Sequence, residues 1–201
     1  MNKSRAHIAF LLTAAAVAAP VHAAVLQGPA YITATTAMAA CEVSTCAGFG
    51  LNINEIADTS TANLNGWAGQ TGLLGTIKLD LLGTFDLTSF SLWNDVNVSA
   101  EGVRTFQLHF FDASDQLLSS TGTLSAISQF PAQVYGLGTV SGVSRVDLQV
   151  LSASGRIEIR EVAFNGQATG TQGVPEPTSL ALAGLGLALA AVSRRKTQPL
   201  I

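Results

Sequence analysis

The chain has 201 residues and a formal net charge of −3; it is 48% hydrophobic, 6% aromatic and only 11% charged. The charged fraction is less than half of the usual ~25%, which excludes a charge-driven disordered chain and a coiled coil. The 19 glycines follow no Gly-X-Y period, so a collagen-like chain is excluded as well. The length fits one ordinary domain with terminal extensions.

Residues 1–23 have the three parts of a secretory signal peptide in the right order. Two basic residues stand at positions 3 and 5, residues 8–19 are an apolar run, and a small-residue cleavage box ends at Ala23. The run is shorter than the ~20 residues of a membrane-spanning helix. We therefore predict export by the Sec machinery and cleavage by signal peptidase before Ala24. The alternative is a buried N-terminal helix.

The body that remains, residues 24–167, contains 12 acidic and 5 basic residues and so has a net charge of about −7. An acidic body without a basic stripe argues against nucleic-acid binding, because phosphate neutralisation supplies most of that affinity. Its one histidine, His109, excludes a site built from several histidines. Alternation of apolar and polar residues over 103–111 predicts a strand with His109 on the solvent face.

The body reads as β-structure throughout. Residues 76–81, 85–93, 145–151 and 156–164 alternate between apolar and polar side chains, and turn-forming residues separate them. The phase of the alternation slips within the second run and again near Glu161, as a β-bulge would produce. Short strands with one apolar face predict a single all-β domain, a sandwich or jelly roll.

Two cysteines, Cys41 and Cys46, enclose four residues in a chain predicted to be exported. Export makes a local disulfide the favoured interpretation, with free thiols as the alternative. A loop of this size constrains little chain, so its stabilisation should lie below the ~3 kcal/mol expected for a 15-residue loop.

Several motifs of the body are similar to those of discoidin-like, galactose-binding-like jelly rolls of bacterial surface proteins. The motifs are Leu-Thr-Ser-Phe-Ser-Leu-Trp-Asn-Asp at 87–95, Gly-Val-Arg-Thr-Phe at 102–106, Phe-Phe-Asp at 110–112, and Arg-Ile-Glu-Ile-Arg-Glu-Val-Ala-Phe at 156–164. The resemblance covers about residues 50–166 and implies a single galactose-binding-like sandwich over residues 24–167. The segment from Cys41 to Asn65 departs from the expected loop pattern.

Sugar binding is one function that aromatic side chains of the body could support, because an aromatic face offers an apolar platform to a sugar ring. Trp93 is the main candidate, with Asn94 and Asp95 following it at the end of a strand; Trp67 and Tyr135 are further candidates. The alternative is packing in the core or at the rim. No motif identifies a catalytic pair of carboxylates, so we predict no enzyme activity.

A structural calcium ion is common in the galactose-binding-like domains that the body resembles. The aspartates at predicted loops are more simply explained as turn-forming residues, and no EF-hand spacing is present. We therefore predict no cofactor. If a structural calcium is bound, the resemblance makes Asp58 and Glu161 its candidate ligands.

A linker, residues 168–177, follows the body and ends in a stiff, proline-rich element. Each proline fixes its own φ angle and disfavours helix at the residue before it, so this element is predicted to be extended. Its residues are Val174, Pro175, Glu176 and Pro177.

Residues 178–196 are predicted to form a membrane-spanning helix that ends in a basic cluster, followed by a short tail at 197–201. The 16 residues 178–193 would form a helix of about 24 Å, slightly shorter than a ~30 Å hydrocarbon layer. Positive charge favours the cytoplasmic side, which leaves the body on the other side of the membrane. The basic residues are Arg194, Arg195 and Lys196.

This order of a Pro-Glu-Pro element, an apolar run and a basic cluster resembles the PEP-CTERM sorting signal of Gram-negative bacteria. The resemblance implies an inner-membrane intermediate, processing by an exosortase-type protease, and delivery to the cell surface or extracellular matrix of a strain that makes polysaccharide. The alternative is a simple membrane anchor on a proline-rich stalk.

Together these features predict a non-catalytic surface or matrix protein whose jelly roll binds exopolysaccharide, another glycan or a partner protein. Two alternatives stay open: a secreted hydrolase that acts on polysaccharide, and a purely structural matrix component without a small ligand.

Overall fold

The structure, a computed structural model, describes residues 23–46, 50–95, 101–127, 129 and 131–169. The signal peptide, the sorting element and the predicted membrane helix lie outside the described residues, and they stay predictions. Among the residues that the structure covers, no helix is long and apolar enough to span a bilayer.

This part of the chain is almost entirely β-structure, which confirms the all-β prediction. A 3-10 helix, Ile53–Ala57, lies between the second and third strands. The strands are β1 (Ala24–Leu26), β2 (Ile32–Thr36), β3 (Trp67–Ala68), β4 (Thr76–Asn94), β5 (Val103–Phe111), β6 (Leu117–Ser120), β7 (Leu124–Ser125), β8 (Gln133–Ala153) and β9 (Glu158–Ala168).

The strands are antiparallel and form one hydrogen-bonded sheet with the order β1-β9-β4-β8-β5-β6. Strand β2 pairs with β4, β3 with β9, and β7 with β5. The two predicted runs at 76–81 and 85–93 are thus halves of the single strand β4. Its first half pairs with β2 and its second half with β9, while β8 accompanies both halves.

A corner in β4 and β8 folds this sheet into the two layers of a sandwich. The register between the two strands shifts between Asp80 and Phe85, where Gly83 has a φ of 155°. The layers face each other across the core, because Phe90 of β4 contacts Phe106 of β5 with ring centroids 5.9 Å apart although these strands do not pair. The corner therefore lets one continuous sheet bury its apolar faces against itself.

Strand β9 differs from the sequence-based prediction of one apolar and one solvent-facing side. Every residue from 158 to 164 is buried, including the charged ones. The cause is the segment between the 3-10 helix and β3: the Asp58 amide and the Thr61 carbonyl bond Glu161 and Arg160, while β3 pairs along the edge of β9. At Gly66 this segment approaches so closely that an added Cβ would lie 2.5 Å from the Cα of Arg160. Charged side chains predicted to face water are therefore enclosed.

Candidate functional site

At one end of the sandwich, the Asn94 side chain makes the pair of hydrogen bonds that a neighbouring strand would otherwise make. Its side chain is 2% exposed, donates to the Val103 carbonyl at 2.8 Å and accepts from the Val103 amide at 2.9 Å. An amide side chain thus makes both hydrogen bonds that a peptide group would make in a ladder. Gly102, with a φ of 99°, leaves room for it, since an added Cβ would stand 3.0 Å from the Asn94 Oδ1. Asn94 therefore joins the ends of β4 and β5.

Three carboxylates converge beside this closure: Asp95, Glu101 and Glu158 each offer an oxygen within 4.8 Å of the others. Arg156 lies against two of them, with its Nε 2.6 Å from Glu158 Oε1 and its Nη2 in an ion pair with Glu101. Burial raises the pKa of Glu158 to about 7, although the hydrogen bond from Arg156 opposes the rise. One guanidinium thus compensates part of the negative charge of these three carboxylates, and the pKa of Glu158 stays raised.

Arg160 is the second buried cation at this end, and it is fully enclosed with 0% of its surface exposed. Its guanidinium donates to three backbone carbonyls: Asn94 at 2.9 Å, Thr61 at 2.8 Å and Gln129 at 3.1 Å. One carbonyl ends β4, and the other two belong to separate loops. Arg160 therefore ties two loops to the end of β4. We refer to the acids and arginines at this end as the arginine network, comprising Asp95, Glu101, Arg156, Glu158 and Arg160.

A second polar site lies further along β9, where Glu161 contacts Asp58, which is 103 positions earlier in the chain. The Asp58 amide donates to Glu161 Oε2 at 3.3 Å, and Glu161 itself is 0% exposed. Asp58 is held in turn: its Oδ1 accepts from the Ser60 amide at 2.7 Å, and both of its oxygens lie 3.3 Å from the Asn65 Nδ2. The structure thus brings together the two residues predicted as calcium ligands.

Glu161 has unused capacity to bind a ligand. Its Oε1 is buried and has no hydrogen-bond partner among the described residues. Burial raises the pKa of Glu161 to about 8, against hydrogen bonds from the amides of Asp58 and Thr59 and from the Gln27 side chain. These donors are uncharged, in contrast to the arginine beside Glu158. A buried carboxylate oxygen without a partner is a ligand that a hard cation such as calcium accepts, and further oxygen ligands would have to complete such a site.

Trp93 stands directly opposite Glu161 in the pairing of β4 with β9, and its side chain is partly exposed. The next two predicted sugar-contacting residues, Asn94 and Asp95, are buried at 2% and 3% exposure. The other two aromatic candidates are also engaged: Trp67 is 1% exposed, and Tyr135 stacks on Phe90 and donates its hydroxyl to Ser125. Trp93 and Tyr135 are thus the predicted sugar-contacting residues that stay partly exposed, and Tyr135 is the one whose ring and hydroxyl are already engaged.

Cys41 and Cys46 form a disulfide with their Cα atoms 6.0 Å apart. Both residues are buried and pack with Ala68. The Arg156 Nη1 lies 3.8 Å from the Cys41 Sγ, so the disulfide loop borders the arginine network. His109, predicted to face solvent, is half-buried and bridges Ser120 and Gln149 through its two ring nitrogens, at 2.7 and 3.0 Å.

The sequence analysis did not predict that Arg156, Glu158 and Arg160 form a charged cluster at this end of the sandwich. Their alternation of charge along one strand was a signal: opposite charges two residues apart face the same side of a strand. The reading assigned that side to water. Only the segment that crosses β9 turns the same pattern into a buried network.

The chain was compared with known proteins. Residues 173–196 match the family model of the PEP-CTERM protein-sorting motif. No curated protein matches the chain.

Solved structures share the fold of the body. The family 32 carbohydrate-binding module of Clostridium perfringens NanJ, in complex with galactose, aligns with a TM-score of 0.58 at 8% identity, over 72% of this chain and 99% of that one. The third family 32 module of a Clostridium perfringens family 31 glycoside hydrolase aligns at 0.54 and 11% identity, over 68% and 91%. A Streptococcus pneumoniae fucose-binding module aligns at 0.53 and 10%, over 71% and 95%.

At these identities the alignments establish the fold and nothing finer. The fold is that of the galactose-binding-like sandwich which the motifs of the body predicted. The chain therefore carries a PEP-CTERM protein-sorting motif at residues 173–196, placed after a body with the fold of family 32 carbohydrate-binding modules.

Proposed function

We propose that this chain is an exported, non-catalytic protein that an exosortase-type protease sorts to the cell surface or extracellular matrix of a Gram-negative bacterium, where its sandwich binds exopolysaccharide or another glycan. The observation that carries the proposal is the combination of a sorting motif with the fold of a sugar-binding module in one chain. The sorting motif implies a membrane-held intermediate, and the signal peptide predicted at residues 1–23 agrees with that route.

Mass spectrometry of the protein from the surface fraction tests the sorting step. The expected mature form begins at Ala24 and lacks the basic cluster of Arg194, Arg195 and Lys196. Replacing Pro175, Glu176 and Pro177 together by alanine should leave the chain in the inner membrane with this cluster intact. An intact basic cluster on the surface form of the natural chain would exclude sorting by proteolysis.

For glycan binding we propose Trp93 as the contact residue, with Asn94 and Asp95 supporting the end of β4 beside it, where Asn94 bonds Val103 of β5. This division of roles rests on burial: Asn94 and Asp95 are enclosed, whereas Trp93 is partly exposed. An aromatic ring with one accessible face can stack on the apolar face of a sugar. The uncharged Ser91 and the buried Glu161 flank it on β4 and β9.

Binding of the secreted protein to an array of bacterial polysaccharides and their oligosaccharides tests this role. Trp93→Ala should raise the dissociation constant for the bound glycan at least tenfold, while Trp93→Phe should raise it less. Tyr31→Ala, at a partly buried aromatic residue elsewhere, serves as the matched control. Release of reducing sugar during the same incubation would support the hydrolase instead.

We further propose that Asp58 and Glu161 hold a structural calcium beside Trp93. When bound, the ion would supply fixed positive charge and link the loop at Asp58 to β9. Support comes from the buried Glu161 Oε1, which has no hydrogen-bond partner among the described residues, and from the closeness of Asp58 to Glu161. Isothermal titration of the metal-free protein with calcium should show one site that Glu161→Gln removes.

A further inference from the structure

Arg160 is a fully buried arginine that directs its guanidinium at backbone carbonyls. Burial lowers the pKa of this guanidinium from its ordinary value, although the nearby Asp95 favours the charged form. Three of its hydrogen bonds go to the carbonyls of Asn94, Thr61 and Gln129. A buried charge is costly to maintain, and replacing such groups by apolar ones is often neutral or stabilising. Stability alone therefore does not account for an arginine at this position.

The three carbonyls come from parts of the chain that are far apart in sequence. Asn94 is the last residue of β4, Thr61 lies in the loop between the 3-10 helix and β3, and Gln129 lies in the loop between β7 and β8. They are 66, 99 and 31 positions away from Arg160. A guanidinium presents its N–H donors in a rigid, planar fork. One side chain thus fixes the positions of two loops relative to the end of β4.

Both loops are also attached to the immediate neighbours of Trp93. Asn94 follows Trp93 in the chain, and its Nδ2 donates to the carbonyl of Ile127 at 3.3 Å. Glu161 is opposite Trp93 in the pairing of β4 with β9, and it accepts from the amide of Asp58 at 3.3 Å. The loop after β7 and the loop after the 3-10 helix are therefore fixed to the sheet at positions next to Trp93.

The two loops present apolar side chains to solvent. Leu64 and Ile127 are each 53% exposed. Leu64 also has a φ of 65°, a left-handed conformation that is unfavourable for leucine. The neighbouring Asn65 holds this loop, because its Nδ2 lies 3.3 Å from both carboxylate oxygens of Asp58 and 3.4 Å from the Ser60 carbonyl. Strained residues persist only where the surrounding contacts impose them, and they cluster at binding sites.

We propose that Arg160 is a positioning residue of the glycan site: it holds loop 58–65 and the loop of Ile127 and Gln129 so that a glycan contacts both loops together with Trp93. The inference rests on the glycan binding proposed above. Loops fixed in advance lose less conformational entropy when a ligand binds. They also discriminate between sugars, because a ligand that does not fit between them loses contacts or clashes.

Arg160→Lys tests this role, because lysine keeps the positive charge beside Asp95 but lacks the planar fork. One ammonium group on a flexible stem cannot bond three carbonyls in the same arrangement. We expect the dissociation constant for the bound glycan to rise at least tenfold. The preference among the glycans of the array should also become weaker, since the loops no longer have one fixed arrangement.

Arg156→Lys is the matched control, two residues earlier on the same side of the sandwich end. The guanidinium of Arg156 pairs with the side chains of Glu101 and Glu158. We expect this variant to keep the dissociation constant within about twofold of the natural value and to keep the natural order of glycans. Urea unfolding of both variants shows how much stability each one loses, which separates a loss of binding from a loss of folding.

Hydrogen exchange of the free protein gives a second measurement, which needs no glycan. The amides of loop 58–65 and of Ile127 should exchange faster in Arg160→Lys than in the natural chain or in Arg156→Lys, because these loops then open locally. The amides of β2, in the other layer, serve as the internal reference and should exchange alike in all three proteins.

The outcomes distinguish this role from glycan binding itself. If the natural chain binds a glycan and Arg160→Lys binds it equally well and with the same preference, the role of Arg160 is overturned while glycan binding stands. Equal weakening in Arg156→Lys, or unchanged exchange of both loops in Arg160→Lys, would also overturn it. A natural chain that binds no glycan would refute the proposed function, and the role of Arg160 in binding with it.

Discussion

Glu158 and Glu161 lie three residues apart on β9, and both are buried at 1% exposure or less, yet their surroundings differ. Glu158 has the Arg156 guanidinium at 2.6 Å. Glu161 receives hydrogen bonds from uncharged groups only, namely the amides of Asp58 and Thr59 and the Gln27 side chain, and one of its oxygens is idle.

The comparison separates two uses of a buried carboxylate. Where a cation of the chain neutralises it, the carboxylate is part of the scaffold, and removing its partner leaves an uncompensated charge. Where its donors are neutral, the carboxylate keeps a proton near neutral pH or exchanges it for a metal ion. The arginine network is therefore assigned to stability, whereas ligand binding at the Asp58–Glu161 site is the proposal that the predictions below test.

The largest loss of unfolding free energy is expected for Arg160→Ala, and it would test the structural role of the arginine network. The change removes three hydrogen bonds to backbone carbonyls and the buried positive charge beside Asp95, while Arg156 stays with Glu101 and Glu158. Breaking a buried charge cluster costs about 3–5 kcal/mol of unfolding free energy. Urea unfolding measures it, with the exposed Lys78→Ala as control, expected within about 0.5 kcal/mol of the natural chain. A loss for Arg160→Ala no larger than the control's would refute the scaffold role.

The pH dependence of the metal-free protein should show the second largest effect. The pKa of Glu161 is about 8 in the folded state against an ordinary value of 4.5, so the native state retains a proton that the unfolded chain releases between these values. Stability contributed by this group therefore falls as pH rises from about 4.5 to 8, by on the order of 3 kcal/mol.

Urea unfolding in a chelator at pH 5, 6, 7 and 8 measures this slope. Glu161→Gln cannot ionise and should flatten it, whereas Glu42→Gln, at an exposed position, should not. Glu158, whose pKa is raised to about 7, adds a smaller fall in the lower part of the range. Identical slopes in the natural chain and in Glu161→Gln would show that Glu161 is ionised throughout.

The response of folding stability to calcium should distinguish Glu161 from Glu158, with a slightly smaller effect than that of pH. A ligand present at 100 times its dissociation constant stabilises the folded state by about 2.7 kcal/mol. We expect a rise of the thermal midpoint with calcium that Glu161→Gln abolishes and Glu158→Gln preserves, measured by calorimetry. A calcium response lost in Glu158→Gln but kept in Glu161→Gln would reverse the assignment of the two sites.

The smallest effect is expected at the border of the arginine network, from the disulfide. A six-residue closed loop contributes about 2 kcal/mol or less by chain entropy. Replacing Cys41 and Cys46 together by alanine should lower the urea midpoint accordingly, and a reducing agent should then have no further effect. A loss as large as that of Arg160→Ala would mean that the disulfide, through Arg156, holds the network itself.

Prediction from the sequence succeeded where the signal is local or lies in an ordered motif. Alternating residues in β4, β5, β8 and β9 predicted the strands, and the motifs at 87–95 and 156–164 predicted the sandwich. The apolar run with its basic cluster predicted the sorting motif, which the family model matches at residues 173–196. The resemblance named Asp58 and Glu161 as candidate calcium ligands, which stays a prediction, and the structure places the two residues next to each other.

Prediction failed where burial depends on a distant segment. Asn94 and Asp95 end a strand, and such residues are usually exposed, but loops brought from other parts of the chain enclose them. The charges of β9 have the alternation of a solvent-facing side, but the segment around Gly66 covers them. The alternation of polar and apolar residues within a strand does not predict which distant segment will cover its outer face.

By itself the sequence determined that the body is a β-sandwich and that a sorting motif follows it, because strand periodicity and ordered motifs depend on residues near one another in the chain. Only the tertiary structure decided which charges are enclosed and which carboxylate receives an arginine. Those outcomes depend on contacts between residues as far apart as Asp58 and Glu161, 103 positions along the chain, which form only when the layers close.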